Sequence, residues 1–115
     1  VPRLLIVRWS APLFFANANQ FRDRIRELVK AEAVPPSWVL VAAEPITDID
    51  TTAGAMLKDL DDELNSQGIH LAFAELQSAV RDMIGRYGLL ETIDEGHFFA
   101  SVTEGVKAFE GRTDA

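Results

Sequence analysis

The chain has 115 residues, a formal net charge of −7 and no cysteine. That length fits one compact domain spanning residues 1–115. The cysteine count excludes a disulfide scaffold and thiolate metal sites, and the acidic balance argues against a nucleic-acid partner, because neutralising phosphates requires clustered Lys and Arg.

Leu4-Leu5-Ile6-Val7 is a short apolar run between Pro2 and Ser10-Ala11-Pro12, which reads as a buried strand. It begins almost at the first residue, as expected of a piece of a longer protein. Leu13-Phe14-Phe15 reads as a second extended piece, kept from a sheet interior by Pro12. Asn17 then offers a helix N-cap, with Gln20 as its capping-box partner. Phe21, Ile25, Leu28 and Val29 recur at helical spacing, and the interleaved charges of Arg22, Asp23, Arg26, Glu27 and Lys30 read as a solvated face. Pro35-Pro36 ends that helix.

Trp38 to Ala43 is continuously apolar, as expected of a strand covered on both faces. A second helix is predicted from about Thr52 to Gln67. Met56, Leu57, Leu60 and Leu64 form its inner face, and Lys58, Asp59, Asp61, Asp62 and Glu63 its outer one. Gly68 stands where a C′ glycine closes a helix. Ile69 to Ala74 reads as a further strand, and Ala79, Val80, Met83 and Ile84 as a third helix closing near Gly85 to Gly88. His97-Phe98-Phe99 reads as a short extended piece. Ser101 with Glu104 opens a last helix that turns Val102, Val106 and Phe109 inward. The order β-β-α-β-α-β-α-α is that of an α/β domain, a sheet with helices packed against it. The longest apolar runs fall far short of the roughly 20 residues that span a bilayer.

One connection stands out. Asp48-Ile49-Asp50-Thr51-Thr52-Ala53-Gly54 joins the end of a buried strand to a helix N-terminus, where α/β sheets often bind ligands and unpaired N–H groups favour anions. Thr51 or Thr52 is placed to cap the helix, and Asp and Thr are ordinary capping residues in any case. Asp48 and Asp50 bring two negative charges to the same mouth, which repels a phosphate unless a cation intervenes. Enzymatic chemistry finds no footing. There is no P-loop, and no acidic pair follows the first strand, where Arg8-Trp9-Ser10 stands. His70 and His97 are far apart in sequence, so neither metal ligation nor a nucleophilic triad is expected.

The chain resembles the STAS domains found at the C-terminus of bacterial SulP sulfate and anion transporters. Leu13-Phe14-Phe15-Ala16-Asn17-Ala18 is similar to their "FANA" segment, and Thr47-Asp48-Ile49-Asp50-Thr51-Thr52-Ala53 to their signature loop. Gly68-Ile69 with Leu71-Ala72-Phe73-Ala74, and Val80-Arg81-Asp82 with Gly88-Leu89, are similar to the strand, helix and turn that follow. The resemblance implies the STAS fold, a small mixed β-sheet of about four to five strands packed against about four helices lying mainly on one side. It implies a non-enzymatic regulatory domain on the cytoplasmic side of the plasma (inner) membrane, partnered by the transmembrane domain of its own transporter.

It further implies that Asp48, Asp50, Thr51, Thr52, Ala53 and Gly54 form a loop that binds a ligand or carries a phospho-switch. GTP, GDP or ATP is the implied ligand, and no cofactor is required. Phe14 and Phe15 are adjacent on a strand and face opposite ways, so one of them is a candidate for docking to the transporter or to a second STAS domain. The alternative is a stand-alone anti-sigma factor antagonist that binds a kinase. Its matching loop reads Asp-Ser-Ser-Gly, and one serine is phosphorylated. Asp50, Thr51 and Thr52 match the first three positions, whereas Ala53 occupies the glycine position and Gly54 follows one later. That departure favours the transporter branch.

Overall fold

The computed structural model describes residues 3–9, 16–88 and 97–111. Among the described residues, four strands and four helices follow in the order β1 (Leu4–Arg8), α1 (Ala18–Ala31), β2 (Trp38–Ala42), α2 (Thr51–Ser66), β3 (His70–Ala74), α3 (Ser78–Arg86), β4 (Phe98–Phe99) and α4 (Val102–Glu110). The sheet order is β1-β2-β3-β4, and every pairing is parallel, with Leu4 opposite Trp38, Trp38 opposite His70 and Phe73 opposite Phe98. The further strand expected at Leu13–Phe15 lies outside the described residues.

This sequential order determines which face each helix covers. Right-handed crossovers that always step the same way must all pass over one face. That face carries Leu5, Val7, Val39, Val41, Leu71, Phe73 and Phe98, packed with Phe21 and Ile25 of α1, Leu57, Leu60 and Leu64 of α2, and Val80 and Ile84 of α3. The alternate residues point the other way. Leu4, Trp38, Leu40, Ala72, Ala74 and Phe99 meet Val102, Val106 and Phe109 of α4. Helix α4 packs over β2, β3 and β4, and Ile6 on the edge strand β1 is left 47% exposed.

Strand β2 is buried along its whole length, as its unbroken apolar run requires. Trp38 anchors the second face. Its ring stacks on Phe99 with centroids 5.9 Å apart and meets Phe109 edge-on at 5.5 Å. Helix α4 comes close because it carries Gly105 there: a Cβ at that position would lie 2.8 Å from Leu40 Cδ2 and 3.2 Å from Phe99 Cδ2.

The caps refine the sequence reading. Ser101 Oγ accepts from Glu104 N at 3.1 Å, as expected. Gly68 adopts φ +77 just past α2, the left-handed conformation that a C′ glycine supplies. Asn17 is the N-cap of α1 by position, but its side chain makes no capping hydrogen bond. Asp61 departs more sharply, being 1% exposed where composition placed it on the outer face. Leu57, Leu60, Asp61 and Leu64 follow the i, i+3, i+4, i+7 spacing, so Asp61 lies on the buried stripe. Asn65 Nδ2 donates to its carboxylate at 3.3 Å.

Helices α1 and α2 are joined by a bidentate ion pair between Arg26 and Glu63, in which Arg26 Nε donates to Glu63 Oε2 at 2.9 Å and Arg26 Nη2 to Oε1. The hydrogen bonds from Arg26 hold the Glu63 carboxyl below its ordinary range. A depressed native pKa stabilises the fold above the unfolded carboxyl's pKa, and the contribution disappears as pH falls through the native one. With both side chains about a third exposed, 39% and 33%, Arg26→Met is expected to lower stability only slightly at neutral pH, because solvent screens the pair. The difference from wild type should shrink in urea melts taken at progressively more acidic pH. Gly105→Ala is expected to cost about 1–3 kcal/mol, because the added methyl must displace packed Leu40 and Phe99. Its urea midpoint should fall with the slope unchanged.

Candidate functional site

The mouth is built by a chain that leaves β2 and turns sharply into α2. Ile46 N donates to Ala43 O at 2.9 Å, and Ala43, Ile46 and Ile49 are all buried. These anchors hold the polar residues between them outward: Thr47 and Asp48 are exposed, and Asp48 Oδ1 accepts from Ile49 N at 3.0 Å. The far side is fastened to α3's entrance, where Gln77 Nε2 donates to Glu44 O at 3.3 Å.

Asp50, rather than Thr51 or Thr52, caps α2. Its backbone is extended (φ −84, ψ 174), and its Oδ1 accepts from Ala53 N at 2.8 Å. Thr51 and Thr52, the first two helical residues, are exposed, whereas Ala53 and Gly54 are buried. The six predicted site residues therefore divide by role. Asp50 builds the helix start, Ala53 and Gly54 pack beneath it, and Asp48, Thr51 and Thr52 face solvent. Phe14 and Phe15 lie outside the described residues.

Sequence reading missed a seventh participant, Tyr87, which follows α3. Its hydroxyl donates to Ile49 O at 3.0 Å. Its ring takes the space a side chain on Gly54 would need, with Cδ2 only 2.5 Å from an ideal Cβ. The glycine that stands one position later than in the Asp-Ser-Ser-Gly loop of the antagonists thus has a packing reason of its own. Being the chain's one tyrosine, set beside a turn glycine, was the available signal, and it does not name the partner.

The chemistry of this mouth is limited. Asp50 already satisfies an amide that a free anion would seek, and Asp48 adds a second carboxylate nearby. Exposed hydroxyls on the first helical turn remain open to covalent modification, where the helix dipole favours added negative charge. Among the described residues, no three His, Cys, Asp or Glu side chains group to hold a metal ion. The mouth also does not coincide with a change of face in the sheet, the usual place for a ligand crevice. Helices α1, α2 and α3 all cover the first face, and the change comes only after β4, with α4. A groove of about 290 Å³ lies elsewhere, between α1 and α2, lined by Arg26, Val29, Lys30, Glu63, Leu64 and Gln67. It centres on the Arg26–Glu63 pair, about 14 Å along α2 from Gly54.

The STAS domain model matches residues 1–105, nearly the whole chain. The chain belongs to the STAS domain family. It is 36% identical over 112 residues to the probable sulfate transporter Rv1739c of Mycobacterium tuberculosis, covering 97% of this chain and 20% of that protein. The STAS domain thus spans about a fifth of the length of this relative. The fold matches the SulP transporter STAS domain from Vibrio cholerae with a TM-score of 0.78 at 16% identity, covering 96% of this chain and 83% of that one. A putative anti-sigma factor antagonist from Thermotoga maritima matches with a TM-score of 0.79 at 13% identity, covering 96% and 90%. These two likenesses speak for the fold alone. The resemblance to SulP STAS domains drawn from the sequence is met, and no described helix of this domain is long and apolar enough to cross a membrane.

The cap supplies the prediction for this site. Asp50→Ala should destabilise the STAS domain by about 1 kcal/mol and raise hydrogen exchange at the Ala53 amide, while β2 amides keep their protection. Asp50→Asn should recover much of the loss, since an amide oxygen also caps.

Proposed function

We propose that this STAS domain is the cytoplasmic regulatory and interaction domain of a SulP-type sulfate or inorganic-anion transporter. It acts without catalysis, and the transmembrane part of the same protein is its principal partner. The observation that carries this reading is the 36% identity, across almost the whole chain, to one fifth of a probable sulfate transporter. A domain that makes up so small a share of its relative has the proportions of an attached module.

Within that reading, the mouth from Asp48 to Gly54 is the regulated element, and GTP, GDP or ATP is its proposed ligand. Its support is positional. A capped helix start presents Thr51 and Thr52 to solvent above a buried base of Ile46, Ile49 and Ala53. The two carboxylates at the mouth bear on the form of ligand: a nucleotide would have to arrive with magnesium, which offsets their repulsion. Phosphorylation of Thr51 or Thr52 is the second reading, favoured by the exposure of both hydroxyls on the first turn.

The test is an amide chemical-shift titration of the labelled domain with GTP, GDP, ATP and sulfate, each with and without magnesium. Saturable shifts confined to Asp48–Gly54 that require magnesium are the expected result. Silence at these residues would sink the ligand-binding part and leave a domain that acts through protein contacts.

A further inference from the structure

A helix start is often steadied by an apolar contact between the residue before the cap and the fourth helical residue. In α2 these positions are Ile49 and Gly54, and glycine has no side chain with which to make it. Tyr87 supplies the missing contact from another element. It touches the same two positions, donating to Ile49 O at 3.0 Å and laying its ring against Gly54. The mouth is therefore stapled by α3 rather than by its own helix.

The placement of Tyr87 is itself fixed. Its backbone N donates to Met83 O at 3.0 Å, and Gly88 beyond it takes φ +81, so the ring is aimed by the end of α3. One and a half turns earlier, Arg81 lies over the Phe98 ring at 5.0 Å, and Phe98 stacks on Phe73 at 5.7 Å. A continuous line of contacts runs from the first turn of α2 through Tyr87 and α3 to β4.

We propose that Tyr87 is the positioning residue of the mouth and the joint through which a charge placed on Thr51 or Thr52 is transmitted to α3 and the Phe98 edge of the sheet. This rests on reading Asp48–Gly54 as the regulated element, and it adds the route by which the rest of the domain responds. Coupling of this kind is reciprocal, so anything that shifts α3 also alters the order of the mouth.

The experiment uses Thr52→Glu as the probe charge in the labelled domain, in wild-type, Tyr87→Phe and Tyr87→Ala backgrounds. Thr52→Glu is expected to shift the Gly88 and Phe98 amides in wild type, to do so less in Tyr87→Phe, and to lose the effect in Tyr87→Ala. Exchange of the Ala53 and Gly54 amides should quicken about fivefold in Tyr87→Ala, the loss of one net hydrogen bond, with β2 protection unchanged. The proposal is overturned if Phe98 does not respond in wild type, or responds equally in Tyr87→Ala. If Tyr87→Ala does not fold, Tyr87→Phe decides: an undiminished Phe98 response together with unchanged exchange at Ala53 and Gly54 overturns it. Nucleotide is absent throughout, so failure of ligand binding and failure of the coupling are read separately.

Discussion

A strand buried on both faces must find partners for all its backbone groups within the sheet and apolar cover above and below. Strand β2 is such a strand: Trp38 to Ala42 are all buried, and β1 and β3 take up its hydrogen bonds on either side. Helices α1, α2 and α3 cover one face, because right-handed crossovers in a sequentially ordered parallel sheet have no other face to use. The remaining face is left to α4, and Gly105 lets it approach Leu40 closely enough to seal it.

The same constraint makes the mouth. A chain leaving a fully buried strand has to reach the first face without exposing its apolar side chains. It does so by burying Ile46 and Ile49 in turn and holding the polar residues between them outward. Helix α2 then starts under an aspartate cap and a borrowed staple. The first turn is consequently buried beneath and open above, an arrangement suited to displaying Thr51 and Thr52. Capture of a bare anion, without a cation, is a poorer match, because the Ala53 amide already belongs to Asp50.

Charge plays a lesser part. Arg26 and Glu63 join α1 to α2 across the helix pair, partly exposed, where an ion pair fixes geometry more than it adds stability. Asp61 is the exception, a carboxylate on the buried stripe of α2. Such a group is tolerated only with hydrogen-bond partners, and Asn65 one turn on is one of them.

The sequence by itself determined the elements and the family. Unbroken apolar runs, helical spacing and the glycine and serine stops depend on local geometry, and the segments at Leu13–Ala18 and Thr47–Ala53 carried the resemblance to STAS domains. It also located the mouth, since Asp and Thr between a buried strand and a helix are a local signal. Which residue capped the helix was a matter of one hydrogen bond, and Asp50 was chosen over its threonine neighbours only in the folded chain. Tertiary structure alone decided that Asp61 turns inward, that β4 places Phe98 beside Phe73, and that Tyr87 fills the space above Gly54. Tyr87 and Gly54 stand 33 residues apart, and no local propensity encodes which side chain a parallel crossover will lay against which turn.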